Sequence, residues 1–229
     1  MPLLVEYYNE LPRSEEEGEV LAGGTRHKKA LESFRMRVLE RYTEGTLHRL
    51  LHSPDVFARR AAVLALGLTG TMASNKPVAR MLHDADRLVR QTAAESIWSL
   101  WFRGDSAEHS DELQRIVRMN NPGKALAALN GLIQKAPRFA EAYNQRAIIF
   151  FRTGEYQRSI EDCEVVLKLN PCHFGAQSGM AQCYMKLRKP RPALRAFRNA
   201  LRIHPDLEGV EATIRALEDA LGGDGREKK

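Results

Sequence analysis

Three prolines punctuate the second half of this 229-residue chain at one interval: Pro137, Pro171 and Pro205 stand 34 residues apart. Each closes an apolar stretch of helical period: ALAALNGLIQKAP, SIEDCEVVLKLNP and ALRAFRNALRIHP. A fixed period of this length marks a supersecondary unit too small to bury its own apolar face, which must therefore stack on a copy of itself. Small residues recur at one position before each proline, Ala125, Ser159 and Ala193, and at a second in the last two units, Ala147 and Ala181. An aromatic position, Phe150 and Tyr184, accompanies them. Antiparallel helices that cross closely need small side chains on one partner and large ones on the other. Turns are predicted at Asn121-Pro122-Gly123 and Thr153-Gly154-Glu155.

A second period lies upstream. Residues 45–67 laid over residues 76–98, an offset of 31, match at Arg49/Arg80, Leu51/Leu82, His52/His83, Asp55/Asp86, Arg59/Arg90 and Ala62/Ala93. Each segment reads as a helix, a short break and a second helix, with Asp55 and Asp86 placed to cap the second. Ala58, Ala62, Ala65 and Leu66 then recur at helical spacing, matched by Val89, Ala93, Ser96 and Ile97.

The ends complete the organisation. Residues 27–42 put Leu31, Phe34, Val38 and Tyr42 on one helix face, and residues 208–221 put Val210, Ile214, Leu217 and Leu221 on another. The latter suits a helix that shields the last apolar face of an array. Residues 1–26 read as a short helix and a flexible segment, 27–104 and 105–207 as the two repeat regions, 208–222 as the cap and 223–229 as a disordered tail. The fold class expected is all-α, an α-α superhelical solenoid.

Both patterns resemble known families. Residues 140–173 resemble a tetratricopeptide repeat, with Tyr143, Ala147, Phe150, Gly154, Tyr156 and Pro171 on its signature positions. Residues 174–207 match at Ala181, Tyr184, Ala193, Phe197, Ala200 and Pro205, and residues 106–137 keep Ala125 and Pro137. Ser159, Cys163 and the Arg188/Pro190 pair depart from the pattern. SPDVFARRAAVLALG and DADRLVRQTAAES are similar to short HEAT-type repeats of the kind named after phycobilisome lyases. Lyase activity would rest on that fold analogy alone.

Chemistry-bearing motifs are absent: there is no GxxxxGK[ST], GxGxxG or HExxH. His48 and His52 stand four apart, but no carboxylate lies between them and His52 is echoed by His83, so they are expected to be structural. Cys163, Cys172 and Cys183 fit no zinc or redox spacing and are expected to be buried thiols. No catalytic residue, metal site or cofactor is expected, and a non-enzymatic scaffold follows. With no signal-like leader and no apolar run of the ~18–20 residues that span a bilayer, the expected setting is cytoplasmic.

Surface is what remains. The resemblance implies that the first helix of each unit lines a concave groove. Three rows recur there at 34 residues, Ser110/Asn144/Ser178, Gln114/Ile148/Gln182 and Val117/Phe151/Met185, followed by the cations Arg118, Arg152 and Lys186. Residues 104–207 carry 16 Lys/Arg against 10 Asp/Glu, so an acidic protein or peptide is the expected partner. Members of the family that clamp a C-terminal carboxylate use a Lys/Asn/Arg set, but Gly175 and Gly179 stand where such cations would be wanted. A second basic feature, Arg191, Arg195, Arg198 and Arg202, forms one helical stripe, and no Asp or Glu occurs from 165 to 205. It suggests nucleic acid as the alternative partner.

Overall fold

The computed structural model describes residues 3–12 and 25–223, and the expected flexible segment and tail lie largely outside them. The described residues form thirteen α-helices, two short 3-10 turns and no strand, divided into two compact units at Leu100/Trp101.

In the first unit, α1 (Leu3–Asn9) and α2 (Thr25–Arg41) pack on α4 (Val56–Thr69). Phe34 and Val38 of α2 are buried as the pattern predicts, and Tyr42 just beyond it accepts a hydrogen bond from Leu4 N at 2.9 Å. The 31-residue repeat is visible in the elements: α3 (Glu44–Leu50) and α4 are followed by α5 (Asn75–Arg80) and α6 (Arg87–Phe102). Asp55 accepts from Phe57 N and Asp86 from Val89 N, so both predicted caps form. Arg59 Nη1 donates to the carbonyls of Ser53 and Pro54, and Arg90 Nη1 donates to those of Asp84 and Ala85, the same contacts 31 residues on. Arg59 also grips Asp84, and Arg60 grips Asp86 through both carboxylate oxygens, so paired forks tie one repeat to the next. Gly67 lets α4 meet α6: a Cβ there would come within 2.3 Å of Ser96 Oγ, which donates to Val63 O.

The second unit follows the 34-residue period closely. Helices α8 (Pro122–Lys135), α10 (Tyr156–Leu169) and α12 (Pro190–Ile203) begin 34 residues apart, as do α9 (Ala140–Arg152) and α11 (Phe174–Lys186). The first hairpin opens with α7 (Ala107–Val117). Each helix packs on the next, and α9 also touches α11. Ala125, Ala147, Ala181 and Ala193 are buried at the crossings. Ser159 fits an alanine position because its hydroxyl donates to Ala147 O at 2.8 Å and accepts from Cys183 Sγ. The cap is α13 (Val210–Gly223), which buries Ile214 and Leu217 against α12.

Two local expectations change. Pro122 and Gly123 are the first turn of α8, where proline's missing N–H costs nothing, and Asn121 caps it by accepting from Lys124 N. The capping helix runs through Gly222 and ends at Gly223 rather than stopping before it. The departure at Arg188 has a backbone cost. Gly154 ends α9 at φ +83°, and Arg188, 34 residues on, ends α11 at φ +55° with the same bond pattern: Glu155 N to Phe150 O, then Lys189 N to Tyr184 O. A side chain in the left-handed region is disfavoured by about 1–2 kcal/mol.

Arg188→Gly is therefore expected to raise stability by about 1 kcal/mol, a gain of roughly 2–4 °C in Tm by calorimetry. Acid should act on the first unit through Asp86. The Arg60 guanidinium, helped by the Val89 N–H, holds its carboxyl at about 2, below the usual 3.8. A depressed carboxylate stabilises the fold above its unfolded value and loses that contribution as pH falls toward the folded one. Asp86→Asn should cost on the order of 1–2 kcal/mol at pH 7 in urea denaturation, with the gap narrowing from pH 4 downward.

Candidate functional site

The wall formed by α7, α9 and α11 carries the predicted rows, and the structure treats them unequally. The first row is packed rather than open. Ser110 and Asn144 are buried and Ser178 is half-buried. Asn144 Nδ2 donates to Glu141 Oε1, so the residue expected to line an open groove belongs to the interior. In the second row Gln114 and Gln182 are exposed while Ile148 is half-buried. The third and fourth rows come together at the last turns of the three helices. Val117 and Met185 are 46% and 41% exposed, large values for apolar side chains. Phe151 between them is half-buried, tilted against the Tyr156 ring at 5.6 Å. Beside this apolar lane runs a cationic one: Arg118, Arg152 and Lys186 are all exposed, and none pairs with a carboxylate among the described residues. Cations at helix C-termini offset the helix dipole by ~0.3–1 kcal/mol each, so charge alone is no sign of a ligand. The exposed apolar lane at the same height is what the fold leaves without a structural use.

Sequence reasoning missed the polar interior behind this wall. Glu141 and His173 are fully buried, with His173 Nε2 3.0 Å from Glu141 Oε2. His173 Nδ1 accepts the Ala176 N–H, which caps α11 and leaves the ring proton on Nε2 to be donated to Glu141. Glu141 also accepts from Asn144 and Gln145, and the Trp101 ring stacks on His173 at 3.9 Å. A signal was present: 34 residues either side of His173 stand Phe139 and Leu207, so a histidine occupies an otherwise apolar position.

The remaining candidates offer no reactive group. His48 Nε2 bonds Ser74 Oγ at 2.8 Å, and buried Ser74 in turn donates to Glu44, while His52 is exposed and apart from them. Burial pushes the Cys163 thiol up to about 12 and raises Cys183 too; Cys172 is half-buried rather than buried. No group of three or more His, Cys, Asp or Glu residues is placed to hold a metal among the described residues. No helix among them is long and apolar enough to cross a membrane. On α12, Arg191, Arg195, Arg198 and Arg202 are all exposed, and Arg198 pairs with Glu218 at 2.6 Å.

Comparison with known proteins matches residues 29–98 to HEAT repeats and residues 113–171 to the tetratricopeptide repeat. The chain is a helical-repeat protein that joins HEAT repeats to tetratricopeptide repeats. A TPR repeat-containing protein of Rhizobium etli is 35% identical over 108 residues, 47% of this chain and 52% of that protein. WD and tetratricopeptide repeats protein 1 of Mus musculus is 29% identical over 44% of this chain and 15% of its own length. The chain thus spans about half the length, or less, of these relatives. Among solved structures, the first tetratricopeptide domain of Spaghetti, bound to an HSP90 peptide, aligns with 52% of this chain and 96% of its own at TM-score 0.48 and 20% identity. A thermophilic TPR protein of Thermus thermophilus aligns with 84% of this chain and 91% of its own at TM-score 0.38 and 17% identity.

The buried pair makes a direct stability test. His173→Ala would strand a buried carboxylate, remove the α11 cap and unstack Trp101. It should cost about 3–5 kcal/mol in chemical denaturation, with His173→Gln losing less.

Proposed function

We propose that this protein is a non-enzymatic scaffold that binds an acidic segment of a partner protein across the last turns of α7, α9 and α11. One observation carries the reading: an exposed apolar lane and an unpaired cationic lane both recur with the 34-residue repeat on one wall. A chain laid across the wall would meet the same two chemistries at each hairpin, and its apolar side chains would supply the binding energy. Carboxylates at the rim would add register and speed of association more than affinity. The packed first row removes Ser110, Asn144 and Ser178 as anchors and leaves Val117, Phe151, Met185 and their cationic neighbours, with Gln182 and Ile148 between the walls of the site. A reducing, cytoplasmic setting suits the three free thiols.

Fluorescence anisotropy with a labelled peptide of alternating leucine and glutamate, against a leucine–serine counterpart, tests this. The acidic peptide should bind more tightly. Replacing Arg118, Arg152 and Lys186 together by Gln should weaken it about tenfold without moving Tm, since none of the three holds a structural ion pair. Equal binding of the two peptides would remove the cationic lane from the site.

A further inference from the structure

We infer that the outer face of α12 is a second binding site, for the phosphate backbone of double-stranded nucleic acid. Arg191, Arg195, Arg198 and Arg202 are spaced 4, 3 and 4, which places them within an arc of about 60° along ~16 Å of helix. All four are exposed. The opposite face fixes their aim: Ala193, Leu194, Ala196, Phe197 and Ala200 are buried, so the helix presents this stripe outward with no freedom to rotate it away.

A solvated face with no partner has no reason to be built this way. Like charges at i,i+3 and i,i+4 destabilise a helix, and solvated faces relieve this by alternating sign. Here Lys186, Arg188 and Lys189 extend the positive run, and no Asp or Glu occurs from 165 to 205. Among the described residues the one carboxylate that pairs with the stripe is Glu218, on Arg198, which leaves Arg191, Arg195 and Arg202 without an ion pair. All four stripe residues are arginine, whose planar fork matches phosphate oxygens two at a time.

The chemistry of the face selects among polyanions. It exposes no large apolar side chain among the described residues, so it lacks what a membrane-surface helix inserts between lipids. It exposes no aromatic ring, so it has no platform for the unstacked bases of a single strand. Regularly spaced phosphates on a stiff backbone remain. One duplex strand presents about five of them along ~16 Å, enough to meet every arginine of the stripe. Such contacts carry no base readout, so recognition is independent of sequence.

The test is anisotropy titration of the full chain with a labelled 20-bp DNA duplex and an RNA duplex of equal length, between 50 and 200 mM KCl. Three unpaired arginines predict a slope of log affinity against log salt near −2.7. Replacing Arg191, Arg195 and Arg202 together by Gln should flatten that slope by a similar amount and weaken binding at least tenfold at 50 mM KCl. Arg198→Gln should change the slope by less than one such step, because Glu218 already neutralises it. The Arg118/Arg152/Lys186 Gln variant should keep duplex binding, which separates this site from the peptide wall. No salt-sensitive binding to either duplex at 50 mM would overturn the inference. Unchanged binding by the α12 triple variant, or binding of phosphatidylserine vesicles without either duplex, would do the same.

Discussion

How closely two helix backbones can approach decides this structure, and small side chains at the crossings set that distance. In the first unit Gly67 faces Ser96 across a gap too narrow for a Cβ. In the second, Ala125, Ala147, Ala181 and Ala193 do the same work at repeating positions. Both units also place a serine at a crossing, and each serine donates to a carbonyl of the neighbouring helix: Ser96 to Val63 and Ser159 to Ala147. A hydroxyl so satisfied behaves as a small residue and adds a directional bond, which tolerates burial where an unpaired hydroxyl would not. With approach fixed, each hairpin's large side chains have one place to go, and the next hairpin supplies it.

Polar residues buried inside the second unit then decide which surface is left for others. Glu141 and His173 lie on different hairpins and meet in the interior, where Asn144 and Gln145 complete the carboxylate's partners and Trp101 covers the ring. A few turns away Arg146 holds Asp162 through both oxygens and reaches Asn130 as well, bridging α8, α9 and α10. Partnered in this way, buried charges tie hairpins to one register, since breaking any of them strands a charge. The wall is thereby sealed at Asn144 and open at the last turns of its helices. Its available chemistry is the pair of lanes ending in Arg118, Arg152 and Lys186.

Periodic features were legible in the sequence because each is written several times. The proline interval placed α8, α10 and α12, the capping aspartates placed α4 and α6, and the stripe from Val210 to Leu221 placed α13. What could not be read occurs once or depends on distant partners. Glu141 and His173 are 32 residues apart in sequence, and no local pattern tells a buried glutamate from an exposed one on the same helix. Asn144 followed it inside, which is why a row that repeats perfectly in sequence is only partly open in space. Arg188 was recognisable as a departure from the glycine turn, but that the backbone keeps the glycine conformation is decided by the bonds around it, not by the side chain. Pro122 and Gly123 read as a turn from composition, and the helix start won because Asn121 caps it.

A scaffold of this kind works if its hairpins hold one another in place strongly enough to keep the lanes aligned. Each inner hairpin of the second unit leans on two neighbours and each outer element on one, so stability must rise toward the middle. Native-state hydrogen exchange on the full chain measures that gradient directly. The slowest amides are predicted in α9, α10 and α11, with protection falling outward to α7 and α13. Protection that is uniform from α7 to α13, or weakest around Ala147 and Ser159, would contradict a structure held together by neighbour-on-neighbour packing.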